Sequence, residues 1–390
     1  QDPKELWVTQ RADGLKGAGT ASDPADGGVR IGPGVSPTGL LTYDGLLVLV
    51  VTELPHNLPV GSSTIVVDAG PYLDVPTKGP YYGTFVATWV SDVAFTYLVA
   101  TVPEAPPDPL HLVSITYTSV GPPAVKVQLP GPRVYWPVAK VPLAGHGLSN
   151  YDAIRVQGVS PSQYNADTVA LGVDSAKSTG FFYWLSSIPT AGNGSGGTVS
   201  KFAFRFDEVM RAAPADGSLI RLGSAPAGNP FLSRGLTELY SAQTGDANSW
   251  TYYPGFTVKQ GQRILGSGMD VTMIRLVFAV DPYRPTSIFG RLGPPDPLTS
   301  ASISDLTLDL NLMGQLQAPT TDFVGQFAPA NTKGATSFAN VTPGGVALWG
   351  SNMYVRHVRA INFGTQAYPE CFVLYLAGSR HSNPPDGANN

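Results

Sequence analysis

Two aspartates four residues apart, Asp305 and Asp309 in the run SDLTLDLN, are the first residues whose type and spacing suggest chemistry. Paired carboxylates can share the acid and base work of glycoside hydrolysis when they stand about 5–9.5 Å apart. On an extended strand, residues four apart share a face but lie about 13 Å from one another. A carboxylate from a neighbouring strand about 5 Å away would have to complete the pair, and neither Val346–Leu348 nor Val355–Val358 carries one. Asp309-Leu310-Asn311 better fits a turn in which Asx side chains bond to nearby backbone.

A second group is basic: Arg356, His357 and Arg359 in YVRHVRAIN. Strand alternation puts Arg356 and His357 on opposite faces, and Arg356 and Arg359 apart as well. Such a face suits a sugar, a subunit contact or a catalytic base. A third group is aromatic. Trp250, Tyr252, Tyr253 and Trp349 could stack on glycans as carbohydrate-binding residues, or pack in a core. The chain holds no P-loop, dinucleotide fingerprint or HExxH motif, so the sequence implies neither a cofactor nor a metal.

These residues must be carried by strands. The 390 residues include 44 glycines and 36 prolines, and only 13% are charged. That suits an all-β protein with many turns. With 43% apolar residues the chain can bury a sizeable core. A net charge of −4, with Lys and Arg scattered, gives no footprint for nucleic acid. No segment reaches the roughly 20 apolar residues of a membrane span; Gly45–Val51 has strand length. Cys371 is the only cysteine, which excludes a disulfide framework and a thiolate metal cluster, and its apolar strand setting predicts a buried small hydrophobe. The chain opens on Gln1 rather than Met, as removal of a signal peptide would leave it.

Along the chain, Leu6–Val8 reads as a strand, and Arg11–Gly28 as a Gly/Asp-rich loop. Phe206–Ala213 reads as a short amphipathic helix. After it come short strands ending in Gly or turn residues: Leu219–Leu222, Arg263–Leu265, Met273–Val277, Ser302–Asn311, Gly345–Asn362 and Glu370–Gly378. Between loop and helix lies an internal repeat. His56-Asn57-Leu58, Tyr81-Tyr82-Gly83-Thr84 and Phe95-Thr96-Tyr97 recur as His146-Gly147-Leu148, Tyr164-Asn165-Ala166-Asp167 and Phe181-Phe182-Tyr183. Corresponding anchors lie on the order of 85 residues apart, one small β module each.

The opening strand, the loop with Gly19, Thr20, Asp23 and Pro24, and the helix at Phe206–Ala213 resemble the first turn of secreted, pectate-lyase-like, right-handed parallel β-helices. The repeat resembles the HGL…YNGT…TFTY modules of bacteriophage tail and fibre proteins and bacterial surface proteins. The resemblances imply a right-handed parallel β-helix with an N-terminal cap and two small inserted β-sandwich or barrel-like modules. The expected divisions are 1–28 (cap strand and loop), 29–125 and 126–201 (modules), and 202–390 (capping helix and β-helix, continuing or covered beyond Asn390).

The implied function is a non-enzymatic, self-assembling structural or adhesive protein of an extracellular filament, cell surface or phage tail fibre. Its partners would be copies of itself and surface polysaccharide. The alternative is a carbohydrate-active enzyme, a lyase or glycosidase, or a glycan-binding adhesin. Lyases on this fold use Arg or Lys as base beside calcium-holding aspartates, which makes Arg356 a catalytic candidate alongside the carboxylates Asp305 and Asp309. Gly145-His146-Gly147 resembles the active-site tripeptide of galacturonase-type β-helices. It stands where His56 stands in the first repeat, with no aspartates clustered around it, so a structural histidine is expected.

Overall fold

The computed structural model describes residues 5–52, 55–69, 80–103, 113–118, 125–129, 132–173, 179–185, 187–190, 192–214, 217–233, 240–242, 251–252, 254–276, 287–291, 298–310, 345–362 and 374–378. The chain is all-β, with a single α-helix among the described residues. Its strands fall into a parallel part and an antiparallel part.

The parallel part begins with β1 (Glu5–Thr9) and β2 (Ala25–Asp26), which pair with each other. The loop between them turns at Gly19, whose φ of +76° favours glycine. A Cβ there would stand 2.6 Å from Leu6 Cδ1. Asp23 accepts the Ala18 N–H at 2.8 Å and holds the loop shut.

The antiparallel part interrupts this one. Strands β3 (Val29–Ile31) and β4 (Thr42–Tyr43) are followed by β5 (Leu47–Val51), β6 (Ser62–Ala69), β7 (Gly83–Ser91) and β8 (Ala94–Leu98). Then come β9 (Val113–Thr118), β10 (Lys126–Gln128), β11 (Arg133–Tyr135), β12 (Val138–Pro142) and β13 (Ala153–Ser160). A 3-10 turn at Ser162–Tyr164, β14 (Ala166–Val169), β15 (Gly180–Trp184) and β16 (Ser195–Phe204) complete the part. One seven-stranded sheet has the order β10-β9-β6-β7-β8-β5-β11; the others are β14-β13-β16-β3 and β15-β12-β4.

These sheets match strand for strand. β6 pairs with β7 and β9, as β13 pairs with β14 and β16. β5 pairs with β8 and β11, as β12 pairs with β15 and β4. β10 borders β9 as β3 borders β16. The second module therefore takes its last two strands from the chain ahead of the first. The divide expected between residues 125 and 126 falls between β9 and β10, which pair in one sheet. β3 and β4, expected with the first module, pair with strands of the second. The first module is thus nested inside the second. Its two ends meet, since Trp136 Nε1 donates to the Gly45 carbonyl at 2.9 Å.

Each module has its own core. Val48, Val50, Ile65, Val67, Phe95 and Tyr97 are among the buried residues of the first. Ala139, Val141, Ile154, Val156, Phe181 and Tyr183 are among those of the second. A third cluster joins them: Leu49, Val51 and Tyr135 pack with Leu171, Phe182 and Trp184.

Helix α1 (Arg205–Arg211) returns the chain to the parallel part, with Asp207 and Glu208 in its first turn and Arg211 in its last, each on the favourable side of the helix dipole. Three strands then follow in sequence, β17 (Leu219–Leu222), β18 (Phe231–Ser233) and, after a small β19–β20 hairpin (Tyr240–Ala242 and Thr251–Tyr252), β21 (Pro254–Thr257). A second set is β22 (Arg263–Leu265), β23 (Met273–Leu276) and β24 (Ser287–Arg291). β25 (Ala301–Asp309) spans two positions of the third set, with β26 (Val346–Gly350) as its last strand. β27 (Met353–Ile361) and β28 (Leu374–Gly378) repeat that arrangement.

Every set pairs in parallel with the next. Three apolar ladders result. Leu6, Ile220, Ile264, Ile303 and Val355 stand in register. So do Phe231, Ile274 and Leu308, and Phe256, Phe289 and Val346. These residues form one buried cluster, with Leu6 and Val355 packed part-buried against it at either end of the first ladder, and each fully buried side chain contributes roughly 1.5–3 kcal/mol. Phe206 of α1 covers the first set, stacked 4.8 Å from Phe231 and edge-on to Phe256 at 5.5 Å.

Nesting has a direct test. A fragment of residues 45–136 should fold cooperatively by itself, because it contains all its strands. A fragment of residues 137–204 should not, because β3 and β4 are missing from it. Circular dichroism with thermal melting reads both, and a cooperative transition in the shorter fragment would contradict the nested topology.

Candidate functional site

The sequence candidates lie on β25 and β27, where the backbone departs from a plain strand. Asp305 has φ +60° and His357 φ +50°. Both stand between paired residues, Ser304 beside Arg356 and Leu306 beside Val358. A left-handed residue inserts a bend that resets side-chain alternation. Ile303 and Leu306 therefore both face the core, with Leu308 and Leu310 continuing inward. The expectation of one straight strand, with Asp305 and Asp309 related by simple alternation, does not hold. The same bend leaves Arg356 and His357 both exposed rather than on opposite faces, and Arg359 exposed as well.

The two aspartates have different environments. Asp305 Oδ1 meets His357 Nδ1 at 2.9 Å in an exposed pair. Its carboxyl is held below the usual range, first by the Ser304 hydroxyl and then by His357. Asp309 is fully buried. It accepts from Arg275 Nε at 2.7 Å and from Asn362 Nδ2 at 2.9 Å, which satisfies the charge in place. Arg359 reaches Thr307 Oγ1 at 3.2 Å and Asp270 at 2.7 Å. Arg356, Asp305 and His357 thus form a surface cluster, and Asp309 is not part of it. Trp250 and Tyr253 lie outside the described residues, as does Cys371. Tyr252 is in β20 and Trp349 in β26, with side chains outside the described set.

His146 pairs structurally with His56. His56 Nδ1 accepts the Leu58 N–H at 3.0 Å, and His146 Nδ1 accepts the Leu148 N–H at 3.0 Å. The residue between is left-handed in both, Asn57 at φ +55° and Gly147 at φ +60°. His56 stands edge-on to Phe95 at 5.4 Å and His146 to Phe181 at 5.5 Å. In each module a tyrosine hydroxyl closes the arrangement, Tyr97 donating to the Tyr81 carbonyl at 3.1 Å and Tyr183 to the Tyr164 carbonyl at 2.7 Å. His56 Nε2 also lies 2.7 Å from the Ser91 carbonyl, which assigns the proton to Nε2. Burial lowers the pKa of both histidines.

Concave space lies elsewhere, where the modules meet. A cleft of about 410 Å³ has Leu47, Thr88, Trp89, Val90 and Thr96 on its first-module wall. Thr42, Lys140, Thr179 and Phe182 line the second-module wall, and Asp44 sits on the crossing between modules. Asp44 Oδ1 accepts the Leu46 N–H at 2.9 Å, an Asx turn. At the floor, a Cβ on Gly172 would stand 3.3 Å from Leu49 Cδ1 of the first module. No residue of this cleft was a sequence candidate. The signal available was the repeat itself. With Val50 opposite Phe95 and Val141 opposite Phe181, Leu49 corresponds to Lys140, and its neighbour Tyr135 to Thr42.

No group of three or more His, Cys, Asp or Glu side chains arranged to hold a metal occurs among the described residues. No described helix is long and apolar enough to cross a membrane. Comparison with family models, curated proteins and solved structures returned no match.

Two predictions follow from these environments. Asp309→Ala removes the buried carboxylate that accepts from Arg275 and Asn362 and should cost about 2 kcal/mol, whereas Arg356→Ala should leave the melting temperature unchanged; equal effects would contradict the division drawn here. The histidine pKa values are lowered, so their contribution is complete above the unfolded value of about 6.5 and is lost as pH falls from there through the lower folded values. Melting temperature should therefore drop below about pH 6.5, and the drop should shrink in His56→Gln, which keeps a polar side chain without a titratable ring.

Proposed function

We propose that this chain is a non-enzymatic, self-assembling structural and adhesive protein, built on a right-handed parallel β-helix with two modules inserted in its cap. It works outside the cytoplasm, in a surface filament or a phage tail fibre, with copies of itself as principal partners and surface polysaccharide as a second. The three in-register ladders support the β-helix, since each set of strands stacks on the one before. The recurrence of the His–Phe–Tyr arrangement supports two copies of one module.

The observation that carries self-assembly is apolar surface on β27 and β28, where Tyr354 and Leu374 are 63% and 46% exposed. Large apolar side chains presented on neighbouring strands of a long parallel stack suit contact with another chain. The reading against catalysis rests on Asp309, which its Arg275 and Asn362 bonds remove from chemistry. Arg356 and the Asp305–His357 pair keep the lyase alternative open to test.

Sedimentation velocity across a concentration series, with electron microscopy of the same samples, should show species larger than the monomer. A monodisperse monomer at every concentration overturns assembly. Incubation with acidic and neutral polysaccharides should yield no unsaturated or reducing ends; product formation abolished by Arg356→Ala or Asp305→Ala would establish the enzyme reading instead.

A further inference from the structure

We propose that the cleft between the two modules is a binding site for a neutral saccharide, seated against Trp89 and held by the hydroxyl and charged groups around it. This deepens the adhesive half of the proposed function and is tested apart from assembly.

The internal repeat supplies the comparison that carries the inference. At the same place in the same fold, the first module has Leu49 and Tyr135, both buried in the joint between modules. The second has Lys140 and Thr42, both exposed and lining the cleft. A joint that served only to hold the modules together would be closed by apolar residues at both places, since each buried apolar side chain stabilises it. Polar groups instead line an opening about 410 Å³ in volume. That is within the size of small-molecule sites, which occur preferentially at domain interfaces.

The lining chemistry is that of a sugar site. Trp89 and Phe182 offer apolar surface to the C–H face of a pyranose. Thr42, Thr88 and Thr179 offer hydroxyls that both donate and accept. Asp44 adds an acceptor and Lys140 a donor. One carboxylate and one ammonium among the described lining residues leave no net charge to select an acidic sugar. Leu49, Val51 and Tyr135 pack against Leu171, Phe182 and Trp184 beside the cleft, so the walls are held apart at a set distance rather than closing on each other.

The probes are maltose, cellobiose and N,N′-diacetylchitobiose as neutral disaccharides, with digalacturonate as the acidic one. Each is titrated into dilute full-length chain and followed by saturation-transfer NMR and tryptophan fluorescence. A saturable response to at least one neutral probe is expected, weakened about tenfold or more by Trp89→Ala and by Lys140→Leu. The second variant restores the residue type of the first module at an exposed position, so its fold is retained even where Trp89→Ala disturbs packing. Tyr354→Ala, on the far sheet, should leave the response unchanged. No response to any neutral probe, a response that prefers digalacturonate, or one indifferent to Lys140→Leu would each overturn the site. Because the protein is kept dilute, failure here leaves assembly untouched, and failure to assemble leaves this measurement valid.

Discussion

Parallel stacking imposes one constraint from which the rest of the architecture follows: each set of strands must return to the register of the last. β1 pairs with β17, yet the whole antiparallel part lies between them in sequence. A segment that long can be accommodated only if it leaves and returns at one point. It does so at β3 and β16, where Val29 pairs with Phe204 and the Arg205 N–H donates to the Gly28 carbonyl at 3.0 Å. The same solution recurs one level deeper, where Thr42 pairs with Lys140 and Gly45 meets Trp136. The fold is a set of nested returns.

Within this scheme the two modules are alike inside and different outside. Histidine, tyrosine and phenylalanine keep their positions because each bonds or packs against backbone that its own module supplies. The outward residues of the paired strands are free to change, and they have. Where module meets module they are Leu49 and Tyr135; where the joint opens they are Lys140 and Thr42. The stability of each unit and the chemistry it presents are therefore set by opposite faces of the same strands.

The charged residues of the parallel part divide along a similar line. Asp309 is buried and needs Arg275 and Asn362 to make that burial tolerable. Asp305 and His357 stand at a bend, where an exposed pair costs little and the left-handed backbone limits the choice of residue. Residue type alone does not separate these roles; burial does.

The amino-acid sequence by itself determined the all-β class, the short strands of the parallel part, the helix that covers them and the internal repeat. Each of these rests on residues close in sequence, or on a pattern repeated at a regular interval. Tertiary structure alone decided that β10 closes the first sheet and β3 the second, because those pairings join distant segments whose side chains carry no mark of their partner. It also decided the bend at Asp305, a residue that adopts left-handed backbone only where neighbouring strands hold it there. The cleft is the clearest case. Trp89 and Lys140 become neighbours through the docking of two modules, and docking depends on the shape of assembled faces rather than on any spacing along the chain.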